Sequence, residues 1–95
     1  MTMDEIKAQK AVARSAQAVS LMNSELLQEA FKVLEADYLE FWKASPVRDQ
    51  DARERVWMAF QVIGKVKGHL QKVLDDGKLA KRDLDEFRKT RQPAA

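Results

Sequence analysis

Several residue types that build secreted proteins and metal sites are scarce or missing in this chain. It has no cysteine, one histidine, two prolines and three glycines among 95 residues. Without cysteine there is neither a disulfide framework nor a thiolate metal site, which fits a reducing compartment. No apolar run approaches the roughly 20 residues of a membrane span. The start, Met1-Thr2-Met3-Asp4-Glu5, carries acids where a signal peptide has an apolar core. We therefore expect a cytoplasmic protein without membrane contact.

Residues suited to catalysis or metal binding form no recognisable motif. A helical zinc or di-iron site needs histidine and carboxylates three or four residues apart, but Val66 and Lys65 precede His69 at those spacings. The glycines at 64 and 68 lie inside a helical pattern, so the lysines between them do not belong to a phosphate loop. No serine has a base arranged for nucleophilic work. We predict no enzyme, cofactor, metal or small-molecule substrate, and a partly exposed His69.

Two apolar stripes mirror each other on either side of Pro46. The first consists of Leu27, Phe31, Leu34, Tyr38 and Trp42, and the second of Val56, Phe60, Ile63, Val66 and Leu70. Spacings of three and four residues mark one face of an α-helix. Paired outward from the turn, Trp42 meets Val56 and Leu27 meets Leu70, which predicts an antiparallel helical hairpin. One hairpin cannot cover both sides of two amphipathic helices, so a third helix or a second subunit is expected.

The predicted fold is a single all-α domain over residues 1–90, a small helical bundle, followed by a disordered tail at residues 91–95. An N-terminal helix over about Asp4–Met22 has mostly alanine on its apolar side and therefore buries little area. The first hairpin helix spans about Ser24–Ala44, with Asn23 or Ser24 as its cap, and Pro46 ends it.

The second hairpin helix is predicted over about Asp51–Asp76. Asp51 and Glu54 have the spacing of a capping box, and Gly77 suits the left-handed position that ends helices. Residues 78–89 then predict a short C-terminal helix packed on the hairpin, as the N-terminal helix is.

Gly64 and Gly68 lie one turn apart within the second hairpin helix. Each costs about 1 kcal/mol relative to alanine in a helix interior, and their shared face would let a second backbone approach closely. We expect either close packing at Gly64 and Gly68, for which the alanine side of the N-terminal helix is a candidate, or tolerated glycines without a function. Docking within one chain or between chains stays open.

Aromatic residues concentrate near the predicted turn, at Tyr38, Phe41, Trp42, Trp57 and Phe60. One interpretation is a core that fixes the turn. In the other, Phe41 and Trp57 lie off the stripes and form an exposed patch that anchors a partner. Nearby arginines suit an acidic or phosphate-bearing partner. The predicted partner-binding residues are Phe41, Trp57, Met58, Arg53 and Arg55.

Charge is unevenly distributed along the chain, whose net charge is +2. Residues 1–22 have three bases and two acids, residues 23–77 eight bases and ten acids, and residues 78–95 six bases and three acids. A basic end either contacts phosphate or is simply solvated. No nucleic-acid motif is evident. The candidates for nucleic-acid binding are Lys65, Lys67, Lys72, Lys78, Lys81, Arg82, Arg88 and Lys89.

Four segments give the middle of the chain a distinctive order: Leu26–Phe31, Phe41–Pro46, Asp51–Trp57 and Asp76–Lys78. In these segments the chain resembles small helical accessory and assembly proteins of tailed phages and prophages, over about residues 21–80. The resemblance implies a phage protein acting in virion assembly or DNA packaging, in the host cytoplasm or the virion, and it assigns no residue roles. The leading hypothesis is a non-enzymatic assembly or adaptor protein that oligomerises and binds a protein partner. The alternative is a nucleic-acid-binding small subunit of DNA packaging.

Overall fold

A computed structural model describes residues 2–91, which contain three α-helices and no strand. These are α1 (Met3–Met22), α2 (Glu25–Ala44) and α3 (Gln50–Arg91). The predicted all-α class is confirmed, and α1 and α2 have bounds within one residue of those predicted. Of the predicted tail, Arg91 is the last residue of α3, and residues 92–95 lie outside the described residues.

Serine side chains cap both ends of α2. At the N-terminus the Ser24 hydroxyl accepts a hydrogen bond from the Leu27 amide at 3.3 Å, so Ser24 rather than Asn23 is the cap. At the other end Ser45 takes an extended conformation, with φ −67° and ψ 132°. The proline that follows disfavours a helical backbone there. The Phe41 carbonyl accepts two hydrogen bonds from Ser45, from its backbone amide at 3.0 Å and from its hydroxyl at 2.6 Å.

The N-terminus of α3 differs from the prediction. The Asp49 carboxylate, not that of Asp51, accepts from a free amide of the first turn, the Ala52 N–H at 3.1 Å. Asp49 is already held in the turn, since its own amide donates to the Pro46 carbonyl at 2.9 Å. The capping box predicted at Asp51 and Glu54 is therefore wrong, because the turn after Pro46 is shorter than expected and leaves Asp51 inside the helix.

Gly77 does not end α3, and residues 78–89 continue that helix rather than forming a separate one. No glycine of the described residues has positive φ. A Cβ built on Gly77 would overlap the Ser15 side chain and lie 3.0 Å from the Ala11 carbonyl oxygen. Glycine is needed here for its missing side chain, not for a left-handed backbone. The predicted left-handed C′ position and short C-terminal helix are both wrong.

The described residues fall into two compact units. The first comprises those within Met1–Leu21 and Leu70–Ala95, so that α1 packs on the C-terminal half of α3. Its contact is made through small residues: Ala18 and Gly77 are buried, and the Ser15 hydroxyl donates to the Leu74 carbonyl at 3.0 Å. The alanine side of α1 therefore meets α3 at Gly77, where two backbones approach closely.

The second unit, Met22–His69, contains α2 and the N-terminal half of α3. Near the turn, Arg53 of α3 contacts Trp42 of α2. Farther from the turn, Lys67 contacts Glu35. That the two units form one domain stays a prediction.

We predict opposite effects for alanine at two glycines of α3. Gly77→Ala gains about 1 kcal/mol of helix propensity but forces α1 and α3 apart, and overpacking costs about 1–3 kcal/mol. The free energy of unfolding should therefore fall. At Gly68 no atom lies within 4 Å of the added Cβ in the described structure, so Gly68→Ala should raise stability by about 0.5–1 kcal/mol. Urea unfolding of both variants tests this, and equal shifts for the two would contradict it.

Candidate protein-interaction site

Arg53 ties the start of α3 to the end of α2. Its Nη1 donates to the Trp42 carbonyl at 3.2 Å and to the Ser45 carbonyl at 3.1 Å. Its guanidinium carbon lies 4.0 Å from the centroid of the Trp42 ring, which adds a cation–π attraction. The last carbonyls of a helix have no partner within the helix, so Arg53 holds the turn together. This role was not apparent in the sequence, where Arg53 was only one of several arginines near the turn.

An apolar groove lies between α2 and α3, next to Arg53. Its volume is about 210 Å³, and it is lined by Tyr38, Leu39, Trp42, Val56, Trp57 and Phe60. We call this side of the second unit the groove flank. Farther from the turn, Lys67 forms an ion pair with Glu35, and its ammonium lies 5.3 Å from the centroid of the Phe31 ring. Charged groups along this line are therefore paired within the chain.

A second apolar surface lies on the other side of the same two helices. Each residue turns an α-helix by about 100°, so Phe41 is rotated about 160° from Leu39, and Val62 about 140° from Trp57. Phe41 is 64% exposed and Met58 57% exposed. We call this surface the open flank. It consists of Leu34 and Phe41 of α2, and of Met58, Val62 and Val66 of α3, all of which are exposed.

The predicted partner-binding residues are therefore divided between two surfaces. Trp57 belongs to the groove flank, and Arg53 lies beside it with Nη1 engaged in the turn. Phe41 and Met58 belong to the open flank, where helical spacing also places Arg55. Tyr38, the aromatic nearest the middle of the contact, is only half-buried. Phe41 and Trp57 are both exposed, but they do not form the single patch that was predicted, and their binding of a partner stays a prediction.

Close packing at Gly64 and Gly68 does not occur between the described residues. A Cβ built on either one meets no atom within 4 Å. The helix backbone is therefore open to solvent along this line. Packing of a second chain against Gly64 and Gly68 stays a prediction.

The basic candidates for nucleic-acid binding are all exposed, but they do not share one face. Lys65 and Lys72 are seven residues apart and lie on one side of α3, whereas Lys67 points elsewhere and is paired with Glu35. The remaining candidates, Lys78, Lys81, Arg82, Arg88 and Lys89, lie in the C-terminal half of α3 with three acids among them. Helical spacing spreads the positive charge around the helix.

No cluster of three or more histidine, aspartate or glutamate side chains within residues 2–91 has the arrangement of a metal site, and His69 is exposed. Nor does any helix in this range have the length and apolar character required to cross a bilayer.

We predict that Arg53→Gln lowers the free energy of unfolding by about 1–2 kcal/mol. The substitution removes hydrogen bonds from a charged donor and the stacking on Trp42. Arg48→Gln is the matched control, since Arg48 is exposed in the same turn and should change stability by less than about 0.5 kcal/mol. Denaturant unfolding followed by circular dichroism measures both, and a neutral Arg53→Gln would refute the role of Arg53 in holding the turn.

Comparison of the chain with protein-family models, with curated proteins and with solved structures found no match. The resemblance to phage assembly proteins therefore stays a prediction.

Proposed function

We propose that this protein is a non-enzymatic assembly or adaptor protein that forms homo-oligomers and binds a protein partner through its second unit. One observation carries the proposal. In this unit Ile63 is the one buried apolar side chain, at 7% exposure, whereas twelve large apolar side chains are exposed. They are Leu26, Val33, Leu34, Leu39, Phe41, Trp42, Val47, Trp57, Met58, Phe60, Val62 and Val66.

Exposed apolar residues are ordinary when they are scattered, but contiguous patches mark sites of association. Fully burying a large apolar side chain is worth about 1.5–3 kcal/mol. Two helices in contact cover one side of each other, so both flanks of the pair stay in water. Association through either flank would recover part of that free energy.

The proposed arrangement of α2 and the first half of α3 is the antiparallel hairpin that the apolar stripes predicted. The Arg53–Trp42 and Lys67–Glu35 contacts support it, since they link the two helices in opposite order. The two flanks then have different roles. The groove flank, which contains Trp57, receives an apolar segment of a protein partner, and the open flank binds another copy. In this proposal the protein acts in phage assembly in the host cytoplasm.

Size-exclusion chromatography with light scattering tests the oligomer. We expect a mass above the 10.9 kDa of one chain that decreases on dilution through the micromolar range, because the association is driven by a limited apolar surface. A constant mass equal to that of one chain at every concentration would contradict the proposed oligomer.

The groove flank is tested by co-purification of the protein with its partners from producing cells. Trp57→Ala should lose a partner that the intact protein retains, because the substitution removes the largest exposed part of the groove. Leu26→Ala is the control, since Leu26 is 76% exposed and does not line the groove. Equal recovery with both variants would contradict a partner site in the groove.

The alternative, a nucleic-acid-binding subunit of DNA packaging, predicts a different result. Contacts between lysines and phosphates release counterions, so binding must weaken steeply as salt rises. A mobility shift of labelled duplex DNA that disappears between low and physiological salt, and that is reduced by Lys78→Gln with Arg82→Gln, would favour it. Absence of any shift at low salt would end this alternative.

A further inference from the structure

We infer that the groove flank binds an amphipathic α-helix of the protein partner, with the apolar side chains of that helix in the groove and its carboxylates beside Lys32 and Lys43. The inference rests on the proposed function and names the chemistry of the partner at that same surface. Three features of the flank carry it: the form of the groove, a bare stretch of backbone beside it, and two unpaired lysines at its edge.

The groove is one apolar surface to which two helices contribute. Leu39 and Trp42 of α2 line it, as do Trp57 and Phe60 of α3, and all four side chains are at least 40% exposed. Packed helices have axes about 8–10 Å apart, so the channel along their line of contact has room for the side chains of one further helix. An amphipathic helix that places its apolar face in such a groove is a common form of protein recognition.

A bare stretch of backbone continues the groove flank along α3. Each residue turns an α-helix by about 100°, so Gly64 and Gly68 lie within about 20° of Trp57 around the helix axis. A Cβ built on either glycine meets no atom within 4 Å. Glycine allows another backbone to approach closely. The occupant that matches two glycines one turn apart is a helix, because its own surface repeats once per turn.

Two lysines of α2 lie at the edge of the groove flank. Helical spacing places Lys32 and Lys43 within about 40° of Leu39, which lines the groove. Both lysines are exposed. Neither forms an ion pair among the described residues, where Lys67 is paired with Glu35 instead. Their charges are therefore available to a second molecule.

The acids near this edge do not cancel its positive charge. Glu29 and Glu40 each lie about 60° from a lysine, on the side of α2 away from the groove. Glu25 is on the lysine side but in the first turn of α2, beyond the groove. Across the groove, Glu54 and Lys65 of α3 have opposite charges. Carboxylates of a partner at the lysine edge would therefore meet charges of the opposite sign, which favours and orients association.

The spacing of the two lysines defines the partner further. Lys32 and Lys43 are about 16 Å apart along the axis of α2. A helix that lies along the groove and reaches both lysines needs at least about 12 residues. Its carboxylates should be about 11 residues apart, on one edge of its apolar side.

A helix fits this flank better than single-stranded nucleic acid does. Nucleic acid also stacks on exposed aromatic rings, but it binds in grooves whose positive charge follows the whole backbone. Here Lys32 and Lys43 stand alone beside an apolar channel, and the glycine stretch offers no charge to a phosphate.

Tryptophan fluorescence reports directly on the groove, because the chain has two tryptophans and both line it. The probe is a tryptophan-free helical peptide of about 18 residues, long enough to reach both lysines. One side of it is leucine and alanine, and one edge has two glutamates about 11 residues apart. A second peptide has lysine at those two positions. We expect the acidic peptide to shift the emission to shorter wavelength with a saturable, micromolar midpoint, and the lysine peptide to bind about tenfold more weakly or less. The difference should shrink at high salt.

Charge exchange tests the role of the lysines. Lys32→Glu should weaken binding of the acidic peptide about fivefold or more and strengthen binding of the lysine peptide by a comparable factor. Lys10→Glu is the matched control. It changes the charge by the same amount, but Lys10 is exposed on α1, so both peptides should bind as they do to the original protein. Equal effects of the two substitutions would overturn the assignment of the edge.

A side chain at Gly64 tests the close approach. Gly64→Leu adds a Cβ that meets no atom within 4 Å and raises helix propensity, so the free energy of unfolding should not fall. Binding of the acidic peptide should nevertheless weaken about tenfold or more, because the new side chain keeps the peptide backbone away from α3. Unchanged binding would overturn the close approach at the glycines.

The outcomes separate this inference from the proposed function. An acidic peptide that binds in preference to the lysine peptide supports the inference. No shift, or equal binding of the two peptides, overturns it and leaves the proposed function in place if Trp57→Ala still loses a partner. If that variant also retains every partner, both are overturned. A shift produced by oligothymidylate instead, or an emission that changes when the protein alone is diluted, assigns the groove to nucleic acid or to a second copy and overturns the inference.

Discussion

The structure depends on one constraint: a helix that packs on a single neighbour buries only the side that faces it. In the second unit this leaves Ile63 as the one buried apolar side chain, while Phe41, Trp57 and Met58 remain in water. The first unit handles the same constraint differently. There α1 contacts α3 mainly through small side chains, and the backbones approach closely at Gly77. Among the described residues, six large apolar side chains are exposed in the first unit and twelve in the second.

That difference determines where association is expected. Alanine buries little area, so tight contact between α1 and α3 depends on shape: the Ser15 hydroxyl reaches the Leu74 carbonyl only because Gly77 lacks a side chain. Large side chains such as Phe41 and Met58 contribute to stability only when another surface covers them. The second unit is therefore the part of the molecule in which a second chain would change the balance between exposed and buried apolar area most.

Much of the fold was predictable from the sequence, because local signals determine it. Ser24 and Pro46 define the ends of α2 through a cap and a steric restriction, and both act on adjacent residues. The errors share another cause. Gly77 suits a helix end and a close approach of two helices equally well, and which one applies depends on Ser15, far away in sequence. Asp49 and Asp51 are both able to cap a helix, and the length of the turn after Pro46 decides between them. Arg53 could not be told from its neighbours until its contacts with Trp42 and Ser45 were known.

The division of the candidate site into two flanks was likewise beyond sequence reasoning, and it changes how the charges are interpreted. On the groove flank, Lys67 is paired with Glu35, and Arg53 donates to carbonyls of the turn. These charges are used within the chain and leave the groove apolar between them. On the edges of the open flank, Glu40 and Arg55 have no partner of this kind. A charge that is paired within the chain has little left to offer a second molecule, whereas an unpaired charge beside an apolar surface steers and orients whatever binds there. The same two helices therefore present one flank suited to an inserted apolar segment and another in which exposed apolar side chains lie beside charges with no partner among the described residues.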